Sequence, residues 1–430
     1  MNIIERGKAF LQGLREVASR TAWDWRRCPR CGDTVTRKHG TYGRSPWTLA
    51  GRQSVRIQRH WCHRCRRSYS ETSAWLVRGS WYAREVHRAT VDHWLHLGTS
   101  VRRTAEVLRS WLGRQERWCL WRPLEVAPDD RVACHLHAST VSRWLATAGE
   151  RAKATVPNQL VGVPSSGQTA TDGLWVRLRQ DTTRVVLLLV DNVTGVCWPP
   201  VVAPDETQAT SWASLFTRAQ QAGLDLVGGL RGIASDGATG LEAYRKRHLP
   251  WVSHQRCVFH LWRGLASELA RQVMAMTPGL TGVVATVARH QVRRTLVALV
   301  RAVYNAPAWA TAQTALAILA AHPHGAVLAA LVTTHLHEAF VYQCGYNQGL
   351  GRASPEWLWR DFRARLSHGR NHGSDPCLER AALVWALYHN FTPAQGRCER
   401  TRHYRHPGLC PLAVAGVPPG EVSYLDALGT

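Results

Sequence analysis

The chain has 430 residues, 45% of them hydrophobic and 20% charged, which excludes a disordered chain and allows a sizeable core spread over two to four domains. Lys and Arg number 54 against 30 for Asp and Glu, a net charge of +24 that points to a polyanionic partner, most often nucleic acid. There is no run of eighteen apolar residues and no signal-type core in MNIIERGKAF, so the chain reads as soluble and cytoplasmic, and its twelve cysteines as thiols rather than disulfides. Lysine occurs only at Lys8, Lys38, Lys153 and Lys246, so nearly all the positive charge is Arg. Arg favours bidentate contact with phosphate or guanine edges, although a GC-rich genome would give the same bias.

Residues 1–75 read as a zinc-ribbon module that binds DNA. Cys28-Pro-Arg-Cys31 and Cys62-His-Arg-Cys65 are two CxxC pairs thirty residues apart. Each pair can present two thiolates from one knuckle, and two knuckles close a tetrahedral structural zinc site. Gly40-Thr-Tyr-Gly43 and the alternating Val55 and Ile57 suit a hairpin between them. Arginines crowd the same stretch, Arg66 and Arg67 among them, with few acids. DNA contact competes there with a merely solvated face.

Residues 76–157 read as a helix-turn-helix region. Val86, Ala89, Val91 and Leu95 have helical spacing up to a stop at Gly98, and Thr99-Ser100 opens a second helix through Val101, Ala105 and Leu108. His137–Leu145 resembles a capped recognition helix, with Ser139 as the cap and Arg143 facing outward. An ordinary helical hairpin fits the pattern equally. Trp111–Asp130 reads as a packed connection, and Pro157–Gly167 as the domain boundary.

Residues 168–265 read as an α/β core. Gln168–Leu178, Arg184–Val190 and Val196–Val202 are expected as antiparallel strands, with a turn at Thr194-Gly195. A helix over Glu206–Gln221 follows, then a strand over Leu230–Ser235 that ends at Asp236. This is the ribonuclease H-like order, in which the first and fourth strands lie side by side. Asp172 and Asp236 would then face each other at one sheet edge. Two such carboxylates stay ionised comfortably only around a cation, and Mg²⁺ suits oxygen donors and phosphate together. Asp181 and Asp191 read as turn residues, with Asp191 the fallback ligand. A lone Asp-Gly turn also suits simple helix capping by Asp236.

Asp172 in a Thr-Asp-Gly strand, Asp236 in Ser-Asp-Gly, and Cys257-x-x-His260 after it resemble the bacterial Mutator-like DDE transposases of insertion sequences. In that family the CxxH pair accompanies the active site, so Cys257 and His260 serve here as a family marker without an assigned chemical job. The resemblance implies a helical insertion before a third acid, which fits the Ala-, Val- and Leu-rich residues 266–350.

The third acid is expected to start or sit within a helix at residues 351–395, though Glu338 and Glu379 stay in contention. Glu356 opens a helix after Ser354-Pro355, with Arg360 and Arg363 at plus four and plus seven on its face. The resemblance adds that a basic residue seven after the glutamate is frequent in DDE transposases. Residues 396–430 read as an extended tail. The resulting expectation is an α/β protein: a ribonuclease H-like catalytic core interrupted by a helical insertion and preceded by a zinc ribbon and helix-turn-helix segments. The resemblance implies Mg²⁺ or Mn²⁺ on Asp172, Asp236 and Glu356, cleavage and strand transfer of double-stranded element ends, a homodimer or higher assembly on DNA, and a nucleoid-associated bacterial location. The competing expectations are a DNA-binding protein without catalysis and a metal-dependent nuclease.

Overall fold

The structure is a computed structural model. It describes residues 26–71, 73–118, 136–179, 181–344, 347, 349–350, 356–366, 372–393 and 408–429; side chains at 113–118, 356–357, 359 and 365–366 fall outside that description. The chain divides into two compact units, residues 1–163 with 177–182 and 360–430, and residues 164–176 with 183–359.

In the first unit, β1 (Thr36–Arg44), β4 (Val55–Cys62) and β5 (Arg67–Ser70) form an antiparallel sheet in the order β1-β4-β5. Gly40 has a φ of 78° where the β1–β4 register shifts, a backbone state that suits glycine. β2 (Trp47–Thr48) and β3 (Gly51–Arg52) make a small hairpin. Helices Arg84–Leu97, Val101–Trp118 and Ala138–Leu160 follow. The first stops at Gly98 in the left-handed conformation, and Ser100 Oγ accepts from the Arg103 N–H at the start of the second. Trp47, Tyr82, Val86, Ala105, Leu108, Leu112, Leu136 and Val141 form their shared core.

Three local expectations change here. The third helix starts at Ala138 with no side-chain cap, so Ser139 is not the cap. It also runs through Pro157 to Leu160, inside the expected boundary. The tail is not extended over 408–429. It carries the short helices Pro411–Val414 and Tyr424–Ala427, held by an Arg88–Asp426 ion pair of 2.6 Å and a 2.7 Å bond from Tyr424 Oη to Asp92.

The second unit is built on a five-stranded sheet, β10-β9-β6-β7-β8: β6 (Gln168–Arg177), β7 (Thr183–Asp191), β8 (Val201–Ala203), β9 (Gly232–Ser235) and β10 (Ser253–Arg256). β6 pairs in parallel with β9, and β9 with β10; β7 pairs antiparallel with β8. Residues 185–190 of β7 are buried throughout, as their continuous apolar run requires. The third strand is interrupted where Pro199 and Pro200 have no N–H for a ladder: Val201–Ala203 pairs with β7 as a strand, and before the prolines Cys197 bridges Val190 and the Trp198 N–H donates to the Leu189 carbonyl at 2.9 Å. Helix Ala209–Gln221 buries Trp212, Leu215 and Phe216, and Phe216 stacks on Tyr244 of helix Thr239–His248. Helices Ala266–Ala275, Gly282–Tyr304, Trp309–Ala321 and Ala326–Ala339 make a separate helical layer with its own core, including Leu269, Leu296, Val300, Leu328 and Val332. No described helix is long and apolar enough to cross a membrane.

Candidate functional site

The parallel register of β6 and β9 places Thr169 opposite Ile233 and Ala170 opposite Ala234. Asp172 and Asp236 each follow two residues later, so the two acids reach the same sheet edge on the same face. Asp172 is buried and its Oδ1 accepts from the Gly173 N–H at 2.8 Å. Asp236 Oδ1 accepts from the Ala238 N–H at 3.0 Å, so this acid also shapes the turn into the next helix. Gly237 has a φ of 80°, and a Cβ there would collide with the Arg256 guanidinium, which donates to the Gly237 carbonyl at 3.1 Å. Only glycine fits that turn.

His260 completes the group. Its nitrogen and one carboxylate oxygen each of Asp172 and Asp236 lie within 4.8 Å of one another. The Cys257 N–H donates to the Ser235 carbonyl at 2.7 Å, tying the start of helix Val258–Gly264 to the end of β9. His260 then falls three residues on, on the same helix face as Cys257, whose thiol hydrogen-bonds it. Burial disfavours the charged imidazole, but Cys257, Asp172 and Asp236 outweigh it and lift the His260 pKa to about 9.

Glu206 is a third described carboxylate at this edge, one that no motif singles out. Trp175 Nε1 donates to its Oε1 at 2.9 Å. Its Oε2 is buried, with no hydrogen-bond partner among the described residues. A Cβ at Gly173 would collide with that same oxygen, so the glycine after Asp172 makes room for it. Burial raises the Glu206 carboxyl, and Asp236 and Asp205 raise it further against the Trp175 bond and His260. Nothing in the local pattern marks it, since its role depends on a contact with β6 thirty residues away.

A buried network backs the β9 end. Ser235 Oγ bonds His254 Nε2 at 2.8 Å, His254 Nδ1 meets Glu242 at 2.9 Å, and Glu242 pairs with Arg245 at 3.0 Å. Ser235 also accepts from the Gly237 N–H at 3.0 Å, so the network fixes the turn that presents Asp236. Ser235 is fully buried, which closes this serine–histidine–glutamate arrangement to any substrate.

The other candidates sort as follows. Asp191 is buried and saturated by Ser165, Ser166 and the N–H groups of Val193 and Thr194, a structural turn. Glu338 pairs with His335 at 3.0 Å and lies 3.9 Å from Arg256, and Glu379 lies 3.9 Å from Lys153. Helix Glu356–Leu366 starts at Glu356, whose side chain lies outside the described residues, as do Ser354 and Pro355. Arg360 and Arg363 on it are exposed.

The four cysteines converge in the first unit. Cys28 and Cys65 sulfurs are 3.6 Å apart and those of Cys31 and Cys62 3.5 Å apart, and all four lie within 4.8 Å. A tetrahedral zinc with bonds of about 2.3 Å would set its sulfurs roughly 3.8 Å apart, so the set could hold zinc. Burial raises the Cys28 thiol, yet the backbone N–H groups of Arg30 and Cys31 outweigh it and bring it down to about 7. Arg66 and Arg67, on the turn and strand after Cys65, are exposed.

Two carboxylates and an imidazole at one sheet edge make a site that could hold a divalent ion, with oxygen donors that suit Mg²⁺ or Mn²⁺. Residues 170–280, which carry Asp172, Glu206, Asp236, Cys257 and His260, match the family described as Transposase, Mutator family, and so support a Mutator-type transposase. No curated protein gives a significant match to the chain.

Proposed function

We propose that this chain is a DDE transposase of a bacterial insertion sequence, with a ribonuclease H-like catalytic core, that cleaves element ends and joins them to target DNA. The observation that carries the reading is the Asp172–Asp236–His260 group inside the stretch matched by the transposase family. A divalent cation held there would neutralise the carboxylates, polarise a phosphodiester and lower the pKa of an attacking water or 3′-hydroxyl. Asp172 and Asp236 hold the ion, and Glu356 is the third acid, presented at the start of its helix. Glu206 adds a further carboxylate at the same edge, where its unpartnered oxygen is available as an outer ligand or water acceptor. His260, oriented by Cys257, balances the two acids and faces the reacting phosphate. No protein nucleophile is needed.

DNA recognition falls to the zinc ribbon, through Arg66 and Arg67, and to the helical region, through Arg143. Arg360 and Arg363 hold backbone near Glu356. The chain works as a dimer or higher assembly on two ends. A strand-transfer assay with Mn²⁺ on DNA carrying the element's terminal repeats tests the proposal. Glu356→Gln is expected to lose cleavage and joining and keep DNA binding. Binding without any cut by the unaltered protein would instead favour a non-catalytic DNA-binding protein, and cutting without joining a nuclease.

A further inference from the structure

We propose that the first unit holds unpaired nucleotides of a DNA end on a stacking platform formed by Trp81, an inference that rests on the DNA-binding reading above. Two cavities adjoin there. One, of about 710 Å³, lies between the β2–β3 hairpin and helices Arg84–Leu97 and Ala138–Leu160. The other, of about 940 Å³, lies against the three-stranded sheet of the cysteine module. Arg52 and residues 78–81 line both, so they form the wall between the two hollows. Trp81 stands on that wall and is 72% exposed, a large apolar surface to leave in water.

The charge around the indole is one-sided. Among the described residues, the smaller cavity is lined by Arg52, Arg78, Arg84, Arg143 and Arg151 and by no acid, and the larger adds Arg30, Arg44 and Arg59 against a single acid, Glu71. Some of these arginines build the walls. Arg84 donates to the carbonyls of Ala74 and Gly429, Arg151 to those of Leu428 and Gly429, and Arg44 to those of Val77 and Ser80. Arg52, Arg78 and Arg143 are exposed, and Arg78 makes no hydrogen bond or ion pair among the described residues. Behind them His87 stacks on Trp144 with ring centroids 3.8 Å apart and bonds Ser80 Oγ at 3.0 Å. Burial, Arg151 and Arg84 keep that imidazole neutral, with its pKa pulled down to about 4. The floor is therefore aromatic and uncharged, and the rim cationic.

This pairing of surfaces fits a nucleotide. A hollow of several hundred cubic ångströms takes a single small ligand group, while a duplex offers grooves to an inserted helix and does not itself enter such a space. Single strands are held by aromatic platforms on which a base stacks, flanked by cations that follow the backbone. Trp81 supplies the platform, and Arg52, Arg78 and Arg143 are placed to meet phosphates on either side of it. The ligand is thus a short unpaired stretch, such as the frayed terminus of a duplex.

Fluorescence anisotropy on the full-length zinc-loaded protein tests this with two DNAs of one sequence, a blunt duplex and a duplex whose end is forked over about six nucleotides. The forked DNA is expected to bind about tenfold more tightly at equal salt. Trp81→Ala should erase that advantage and leave blunt-duplex affinity unchanged, Trp81→Phe should keep most of it, and Arg78→Ala should lower the salt slope by roughly 0.7 on the forked DNA alone. Equal affinity of the unaltered protein for both DNAs, or an equal loss on both in Trp81→Ala, overturns the proposal. If neither DNA binds at all, the DNA-binding reading falls as well, which separates the two failures. Should Trp81→Ala misfold by circular dichroism or zinc content, 2-aminopurine in the fork read with the unaltered protein decides: quenching on binding supports the platform, and unchanged emission overturns it.

Discussion

Asp172 inside β6 and Asp236 just past the end of the neighbouring parallel β9 stand in matched register, each two residues beyond the paired Ala170 and Ala234. The convergence is therefore a property of backbone pairing and not of flexible side-chain reach. A slip of one residue in either strand would turn one acid to the opposite face. Gly237 and the Ser235–His254–Glu242 network hold the second acid's turn, while Gly173 leaves room beside the first for Glu206.

Glu206 tests whether this edge is built for a cation. A buried carboxylate oxygen without a hydrogen-bond partner costs about 1–3 kcal/mol, and Asp236 repels it as well. Glu206→Gln should leave the melting temperature unchanged or raised, and weaken Mn²⁺ binding about tenfold by calorimetry. A lower melting temperature with unchanged Mn²⁺ affinity would mark Glu206 as structural. Gly173→Ala, by driving a methyl into that oxygen, should destabilise by about 1–3 kcal/mol.

His260 and Cys257 share a face of one helical turn, with the thiol bonded to the ring. Binding of the ion would displace the proton that Cys257 and the two acids hold on His260, so His260→Ala should weaken Mn²⁺ binding about 10- to 100-fold, and Cys257→Ala by less, as expected for a ligand and the group that orients it. Equal and negligible effects in the two variants would leave the pair a packing feature.

The network behind β9 makes a pH prediction. Burial raises the Glu242 carboxyl, but His254 and Arg245 outweigh it and bring it from 4.5 to about 2. The folded state therefore favours the ionised carboxylate. Its stabilisation, about 2–3 kcal/mol once partial solvent screening is allowed for, is complete above about pH 5 and is lost as the pH falls toward 2. Denaturant melts of the unaltered protein and Glu242→Gln should show a stability gap at pH 6 that closes as the pH falls from 5 to 2. A gap independent of pH contradicts the assignment.

Metal analysis should find one zinc per chain on the four cysteines. Cys62→Ser should lose it, and hydrogen exchange should then speed up across β1, β4 and β5, because the binding energy of a structural zinc is largely folding energy. Protection of β6, β7 and β9 should persist. Full protection of the cysteine module without metal would refute a structural zinc.

Much of this was legible in the residues themselves. The CxxC pairs, the helix stop at Gly98, and the two Asp-Gly acids, one within a strand and one at a strand end, are local signals, each with a mechanism that acts within a few positions. Cys257 and His260 were legible as a pattern, yet their work is visible only once helix Val258–Gly264 turns back on β9. Glu206, His254 and Glu242 act through contacts across the sheet, which no spacing encodes. The third strand was overread because apolar content hid the effect of Pro199 and Pro200, and the tail because its helices are only one turn long and held by Arg88 and Asp92.

The most direct measurement is Mn²⁺-dependent cleavage and joining of terminal-repeat DNA by the unaltered protein and Asp236→Asn. Removing one metal-holding carboxylate should lower both reactions by about a thousandfold or more, with DNA affinity and melting temperature preserved. Retention of metal-dependent cleavage or joining by Asp236→Asn would contradict the account.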